Sequence, residues 1–111
     1  MAAAKVVVLY PVPTDAAAFD RAYTNEHAPM VTTQNFPGMT RFIASGVVGT
    51  ADGSAAPFHR VAELHFPSME ALQASAASPT VGPVVAHAVS ISSGGMPTFL
   101  IVQEDDNRTF P

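Results

Sequence analysis

The hydrophobic and polar positions of this chain fall into runs that predict a strand followed by a helix. The run KVVVLYPVP (5–13) is continuously apolar and β-branched until its prolines, which is typical of a strand buried on both faces. The next segment, AAAFDRAYTNEHA (16–28), has helical spacing behind a candidate N-cap at Thr14 or Asp15. Pro29 disfavours helical geometry at the residue before it, so this helix is expected to end or kink near its last residues.

The remaining patterns predict two further strands, a helical region and a last strand. MTRFIASGVVG and FHRVAELHF are separated by a small, polar, glycine-containing loop that is typical of a hairpin. The segment after Pro67-Ser68 has helical spacing, and the final run is apolar on both faces. The predicted elements are strands at 39–49 and 58–66, helices at 69–77 and 84–89, and a strand at 98–104.

The order strand, helix, strand, strand, helix, strand is that of the split β-α-β unit of ferredoxin-like domains. We therefore predict an α+β fold with an antiparallel four-stranded sheet and helices on one face. The 111 residues leave room for a single domain, 1–111, with a core at 5–104 and a tail at 105–111. The first and last strands are apolar on both faces, but helices on one face of the sheet leave its other face uncovered. Only 13% of residues are charged, which also indicates an unusually apolar surface. A homodimer formed through that sheet face is the simplest expectation.

Composition excludes several classes of function. The net charge is −4 and the five basic residues are scattered, so no basic stripe exists for nucleic acid. The absence of cysteine excludes disulfides, thiolate chemistry and cysteine metal sites. The opening apolar run is too short for a signal-peptide core or a membrane span, so a cytoplasmic protein without a membrane association is expected.

Three of the four histidines give little sign of chemistry. His59 and His65 share one face of a strand but lie about 20 Å apart, too far to share a metal ion. Glu63 and His65 could approach an ion together or form a polar pair at the dimer interface, and no third ligand is evident, so no metal site is predicted. His87 lies in an alanine- and valine-rich segment and is interpreted as a packed or surface residue.

His27 differs because it ends the stripe Phe19, Tyr23, His27 on one helix face. A helix C-terminus favours imidazolium, and the Tyr23 hydroxyl one turn earlier could reach the ring. The spacing is compatible with a general acid or base near neutral pH and equally with a cap of the last helical turn. The nucleophile-elbow, phosphate-loop and dinucleotide patterns are absent, so a reaction would use simple proton transfer or a bound cofactor.

Four segments of the chain together carry a family resemblance. They are KVVVLYP, the pattern Phe19-x-x-x-Tyr23-x-x-x-His27-x-Pro29, the Pro37-Gly38 turn and AELHFPSMEALQASAASP (62–79). Over roughly residues 5–104 the chain resembles EthD-type proteins, a group that is named for ethyl tert-butyl ether degradation and belongs to the dimeric α+β barrel superfamily. The resemblance implies a dimeric barrel with a small-molecule cleft between sheet and helices. It places His27 in the cleft-facing helix, with Tyr23 and Phe19 beside it. His27 and Tyr23 are therefore the catalytic candidates. The substrate-binding candidates are Phe19 and two residues that alternation puts on the mainly apolar face of the strand 58–66, Leu64 and Phe66. No cofactor is predicted, because only His27 offers an axial ligand for haem.

Two functions remain open at this point. The first is an EthD-like protein of a degradation pathway that binds a small hydrophobic compound and transforms it by cofactor-independent proton transfer, as an isomerase, cyclase or lyase would. The second is a non-catalytic accessory or carrier protein that supports a partner oxygenase. If the protein is only a structural partner, Phe19, Tyr23, Leu64 and Phe66 should fill the cleft and leave no pocket.

Overall fold

Four antiparallel strands form one sheet in the computed structural model, which describes residues 2–111, and three helices cover one of its faces. The predicted ferredoxin-like α+β fold is confirmed. The elements are β1 (Ala4–Pro11), α1 (Ala16–Ala22), β2 (Arg41–Gly46), β3 (Phe58–Phe66), α2 (Met69–Ala76), α3 (Val81–Ile91) and β4 (Thr98–Gln103).

The strand order β2-β3-β1-β4 places β1 and β3 at the centre of the sheet. In β1 the side chains of Val8 and Tyr10 are buried under the helices, and the register sets Val8 opposite Ala62 of β3 on one side and Phe99 of β4 on the other. Because side chains alternate along a strand, Val7 and Leu9 point to the uncovered face. That face is the one on which the sequence predicts a second copy of the chain.

The helix predicted at 16–28 changes its winding at Tyr23. Asp15 caps α1 by accepting a hydrogen bond from the Ala18 amide at 3.1 Å. Beyond α1 the chain widens into a π-helical turn, Tyr23–His27, in which the Ala28 amide donates to the Tyr23 carbonyl, and a 3₁₀ turn, Ala28–Met30, follows. Such π turns are frequent at functional sites.

Helix α3 is longer than the predicted segment 84–89 because Gly82 and Pro83 do not break it. Pro83 is the third residue of a helix that begins at Val81. The first amides of a helix have no partner within it, so a proline there removes no hydrogen bond. No helix within residues 2–111 is long and apolar enough to cross a membrane.

Two buried clusters lie between the sheet and the helices. One is purely hydrocarbon and is called here the apolar cluster; the other, called the tyrosine cluster, is rich in aromatic rings and borders His27. The apolar cluster consists of Ala4, Phe36, Leu64, Phe66, Leu72 and Val84, and the tyrosine cluster of Val8, Tyr10, Phe19, Tyr23, Ala62 and Ala88.

Candidate functional site

A cavity of about 280 Å³ lies between the sheet and the helices and extends along both clusters. Four of the five site residues predicted from the sequence line it: Tyr23, His27, Leu64 and Phe66. The fifth, Phe19, lies outside the lining, with its ring 5.8 Å from that of Tyr23 and 5.2 Å from that of Tyr10. These side chains therefore surround a cavity rather than fill it, contrary to what a purely structural partner would require.

The mouth of the cavity lies where β4 and the helices leave lining residues in contact with solvent. Phe99 and Ile101 of β4 line the cavity and are 40% and 64% exposed. Ala76 at the end of α2 and Val85 of α3 also line it and are exposed. The cavity is therefore in contact with solvent on the β4 side.

At the other end of the cavity, His27 joins a chain of polar contacts. Its Nε2 lies 3.4 Å from the Tyr10 hydroxyl, and its Nδ1 lies 3.0 Å from Nδ1 of His87. The two imidazole rings are nearly parallel, at 6°. Nε2 of His87 is in turn 3.8 Å from a carboxylate oxygen of Glu26. The tyrosine that contacts His27 is therefore Tyr10 of β1, whereas the sequence had suggested the hydroxyl of Tyr23.

Burial governs the charge of this polar end. His27 is 5% exposed, and burial followed by the proximity of His87 lowers its pKa to about 4. Its neutral form therefore dominates at pH 7, which is the reverse of the imidazolium that the helix terminus alone would favour. Burial also raises the pKa of Tyr23 to about 12 and that of Tyr10 well above its ordinary value, so both phenols keep their protons.

Two hydroxyls on residues that line the cavity have no protein partner. Within the described part of the chain, neither the Tyr23 hydroxyl nor Oγ of Ser75 makes a hydrogen bond, although both atoms are buried. A buried hydroxyl without a partner costs on the order of 1–3 kcal/mol. The Tyr23 ring is held from outside the cavity by Arg60, whose guanidinium carbon lies 4.5 Å from the ring centroid.

Comparison with known proteins identifies the family to which these residues belong. The family model described as the EthD domain matches residues 12–87. The chain belongs to the EthD family. An uncharacterised 11.0 kDa EthD relative, from the thcB-thcC intergenic region of Rhodococcus erythropolis, is 34% identical over 101 residues, which are 91% of this chain and 94% of the relative.

Solved structures agree with this assignment. The EthD family protein of Bacillus halodurans C-125 is 29% identical and superposes with a TM-score of 0.79, covering 94% of this chain and 99% of its own. A dimeric ferredoxin-like protein of unknown function from Jannaschia sp. CCS1 is 19% identical, with a TM-score of 0.66 over 92% of this chain and 98% of that one. The second likeness shows the fold alone.

The other two histidines of this EthD protein pair with carboxylates elsewhere. His59 lies 2.9 Å from Asp20, and this contact is the main cause that lowers the pKa of that carboxyl. Glu63 accepts a hydrogen bond from Lys5 at 2.8 Å and lies 3.4 Å from His65, which is the polar pair expected as one alternative. Among residues 2–111, no group of three histidine or carboxylate side chains has the geometry of a metal site.

Four polar residues of the candidate site were not predicted from the sequence: Tyr10, Glu26, Ser75 and His87. Tyr10 has the same strand parity as Val8, so alternation along β1 could have placed it under the helices. His87 follows the buried Val84 by three residues, a spacing that puts both on one helix face. No local pattern indicates that α3 sets His87 against His27, because 60 residues separate them.

Proposed function

We propose that this EthD protein binds a small hydrophobic compound with a polar group in the cavity and transforms it by cofactor-independent proton transfer. The observation that carries the proposal is an almost wholly apolar cavity that ends at a buried, neutral histidine. Its volume of about 280 Å³ is near the lower end of ordinary small-molecule sites. An isomerase, cyclase or lyase-like reaction fits this arrangement, since such a reaction needs only a base and a stabiliser of developing charge.

In this reaction the neutral His27 is the base. Its Nε2 contact to the Tyr10 hydroxyl is long, at 3.4 Å, so an acidic group of the bound compound can compete for the lone pair. The unpartnered Tyr23 hydroxyl then donates to an oxygen of the compound, where negative charge develops as the proton leaves. Leu64 and Phe66 bind the hydrophobic part, and Phe19 supports the Tyr23 ring from behind.

One observation favours the alternative, a non-catalytic accessory or carrier protein that supports a partner oxygenase. A general base is most effective when its pKa lies near the working pH, and a pKa of about 4 makes His27 a weak base. In that case the same cavity and the same hydroxyls hold a compound without changing it. The two functions share the binding site and differ in the fate of the compound.

Thermal denaturation with a panel of small phenols, lactones, quinones and tertiary alcohols tests binding. A compound at about 100 times its Kd contributes about 2.7 kcal/mol, which raises Tm by several degrees in a domain of this size. The variant Ala76→Phe places a large side chain in the mouth and should abolish the shift. Ala74→Phe, an exposed position of the same helix outside the lining, is the matched control and should retain it.

The compound recovered after incubation decides between the two functions. A product that forms with the unaltered protein and not with His27→Gln supports the enzyme. Unchanged compound after binding supports the carrier. If no compound stabilises the protein more than it stabilises Ala76→Phe, the cavity is not a binding site and both proposals fail.

The uncovered sheet face supports a homodimer as the working form. Val7 and Leu9 lie on that face near the middle of the sheet and are only partly buried in the single chain. The structural relative from Jannaschia is itself described as dimeric. Val7→Lys should convert a dimer to a monomer in analytical ultracentrifugation, whereas Val48→Lys, in a fully exposed loop, should not. A Val7→Lys protein that sediments like the unaltered one would place the interface elsewhere.

A further inference from the structure

The contact between His27 and His87 determines where the protons of the polar end lie. The two Nδ1 atoms are 3.0 Å apart, which is a hydrogen-bond distance. When both rings are neutral, each ring carries one N–H, so one Nδ1 donates and the other accepts. The contact by itself allows either direction.

The carboxylate of Glu26 determines which of the two Nδ1 atoms is the donor. Its carboxylate lies 3.8 Å from Nε2 of His87, on the far side of that ring from His27. An unprotonated Nε2 would turn a lone pair toward a negative charge, whereas a protonated Nε2 turns an N–H toward it. The neutral His87 therefore carries its proton on Nε2, and its Nδ1 is an acceptor.

The remaining assignments follow along the chain of contacts. His27 donates from Nδ1 to Nδ1 of His87, which leaves Nε2 of His27 unprotonated. The Tyr10 hydroxyl, whose proton is retained, donates to that Nε2 across 3.4 Å. Each of the two hydrogen bonds of His27 then has one donor and one acceptor. The Glu26 contact, at 3.8 Å, is too long for a hydrogen bond and acts on His87 through its charge.

We propose that His87, together with Glu26, is a positioning residue that holds His27 in the tautomer whose Nε2 is unprotonated, so that a bound compound can compete with the Tyr10 hydroxyl for its lone pair. This inference rests on the proposed function, in which His27 is the base. His87 does not line the cavity, so it acts through His27 and not on the bound compound. Free histidine prefers the opposite tautomer, with the proton on Nε2. Without His87, Nε2 of His27 would carry that proton and would have no lone pair with which to act as a base.

The tautomer can be read directly from ¹⁵N-labelled histidines in long-range ¹H–¹⁵N correlation spectra of the ligand-free protein. Spectra at pH 8 avoid the range in which histidines ordinarily carry charge. We expect His27 to show a protonated Nδ1 and an unprotonated Nε2, and His87 the reverse. A protonated Nε2 on His27 in the unaltered protein would overturn the proposal.

Variants separate positioning from packing. In His87→Ala the proton of His27 should move to Nε2, whereas in His87→Asn the amide oxygen can stand where Nδ1 stood and retain the original tautomer. Glu26→Gln should reduce the population of the Nε2-unprotonated form, and Glu70→Gln, an exposed carboxylate on α2, should not.

An unchanged His27 tautomer in His87→Ala would show that His87 only packs against the ring. If His87→Ala does not fold, the His27 tautomer in Glu26→Gln tests the proposal instead. Glu26 is two-thirds exposed, so its replacement leaves packing intact. Because no ligand is present, these spectra can support the tautomer even if the compound panel fails. They can also refute it even if a compound binds.

Discussion

Two side chains that line the cavity, Leu72 in the apolar cluster and Tyr23 in the tyrosine cluster, are buried to the same degree but differ in what burial does for the protein. Leu72 in the apolar cluster is 1% exposed and Tyr23 in the tyrosine cluster is 2% exposed. The Leu72 side chain has only apolar atoms to remove from water, and its burial is favourable throughout. The Tyr23 ring is buried with equal benefit, but its hydroxyl has lost water and gained no protein partner.

This difference teaches that burial alone does not identify what stabilises the fold. The apolar end holds sheet and helices together, whereas the polar end contains a histidine that has lost its charge and a hydroxyl without a hydrogen bond. Such costs are typical of binding and active sites, where groups are arranged for a ligand and not for the free protein. The comparison predicts opposite responses to mutation at the two ends.

The largest effect is expected at the apolar end. Leu72→Ala removes most of a fully buried side chain that lines the cavity and should lower the free energy of unfolding by about 2–5 kcal/mol in urea titration. Met96→Ala removes a comparable side chain that is 69% exposed and should cost less than about 1 kcal/mol. Similar losses in the two variants would mean that the apolar cluster does not dominate stability.

The next effect is expected at His27 on acidification. Its pKa is lowered in the folded protein to about 4, so between pH 6.5 and pH 4 the unfolded state binds a proton that the folded state does not. Stability that is fully present above pH 6.5 is therefore lost as the pH falls toward 4, by on the order of 3 kcal/mol for a shift of this size.

Urea titrations at pH 7.5, 6, 5 and 4.5 measure this loss. The glutamine of His27→Gln has no charge to gain, so the variant should lose less stability over the same range. The other histidines and the carboxylates are present in both proteins, and the difference between the two curves isolates His27. Parallel curves would show that His27 titrates normally and is not buried as a neutral ring.

Local sequence patterns were sufficient to predict the sheet but not the contacts of the candidate site. Alternation in β3 places Leu64 and Phe66 on its mainly apolar face, because period-two spacing reports which face of a sheet a residue occupies. Helical spacing likewise placed Tyr23 and His27 on one face. Both predictions concern a single strand or helix, and each depends on the identity of only a few neighbouring residues.

The chemistry of the site depends on contacts between elements, which no local pattern contains. The partners of His27 come from β1 and α3, and their approach depends on how the π turn packs against both. The charge of His27 also depends on contacts that no local pattern contains. The helix-terminal dipole acts weakly within the last turn, and desolvation of a buried ring outweighs it.

The smallest change in stability is expected for two Tyr→Phe substitutions in the tyrosine cluster, and it is the most discriminating test. Each substitution removes one phenolic hydroxyl, but the two hydroxyls have different surroundings. In Tyr10→Phe the lost hydroxyl was a hydrogen-bond partner of His27, so the free energy of unfolding should fall by about 1 kcal/mol. In Tyr23→Phe the lost hydroxyl had no protein partner, so stability should stay the same or rise by up to about 1 kcal/mol. Urea titration at pH 7.5 measures both.

In the free protein Tyr10→Phe should lose more stability than Tyr23→Phe, whereas Tyr23→Phe should lose more of the stabilisation that a ligand provides. If a compound from the panel uses the Tyr23 hydroxyl, Tyr23→Phe loses part of the ligand-induced rise in Tm although the free protein is no less stable. A gain in stability coupled to a loss in binding is the behaviour of a group kept for a ligand. Equal losses of stability in the two variants would instead show that Tyr23 already has a partner in the free protein. His27 and His87 would then be the remaining residues that distinguish the polar end of the cavity from the apolar end.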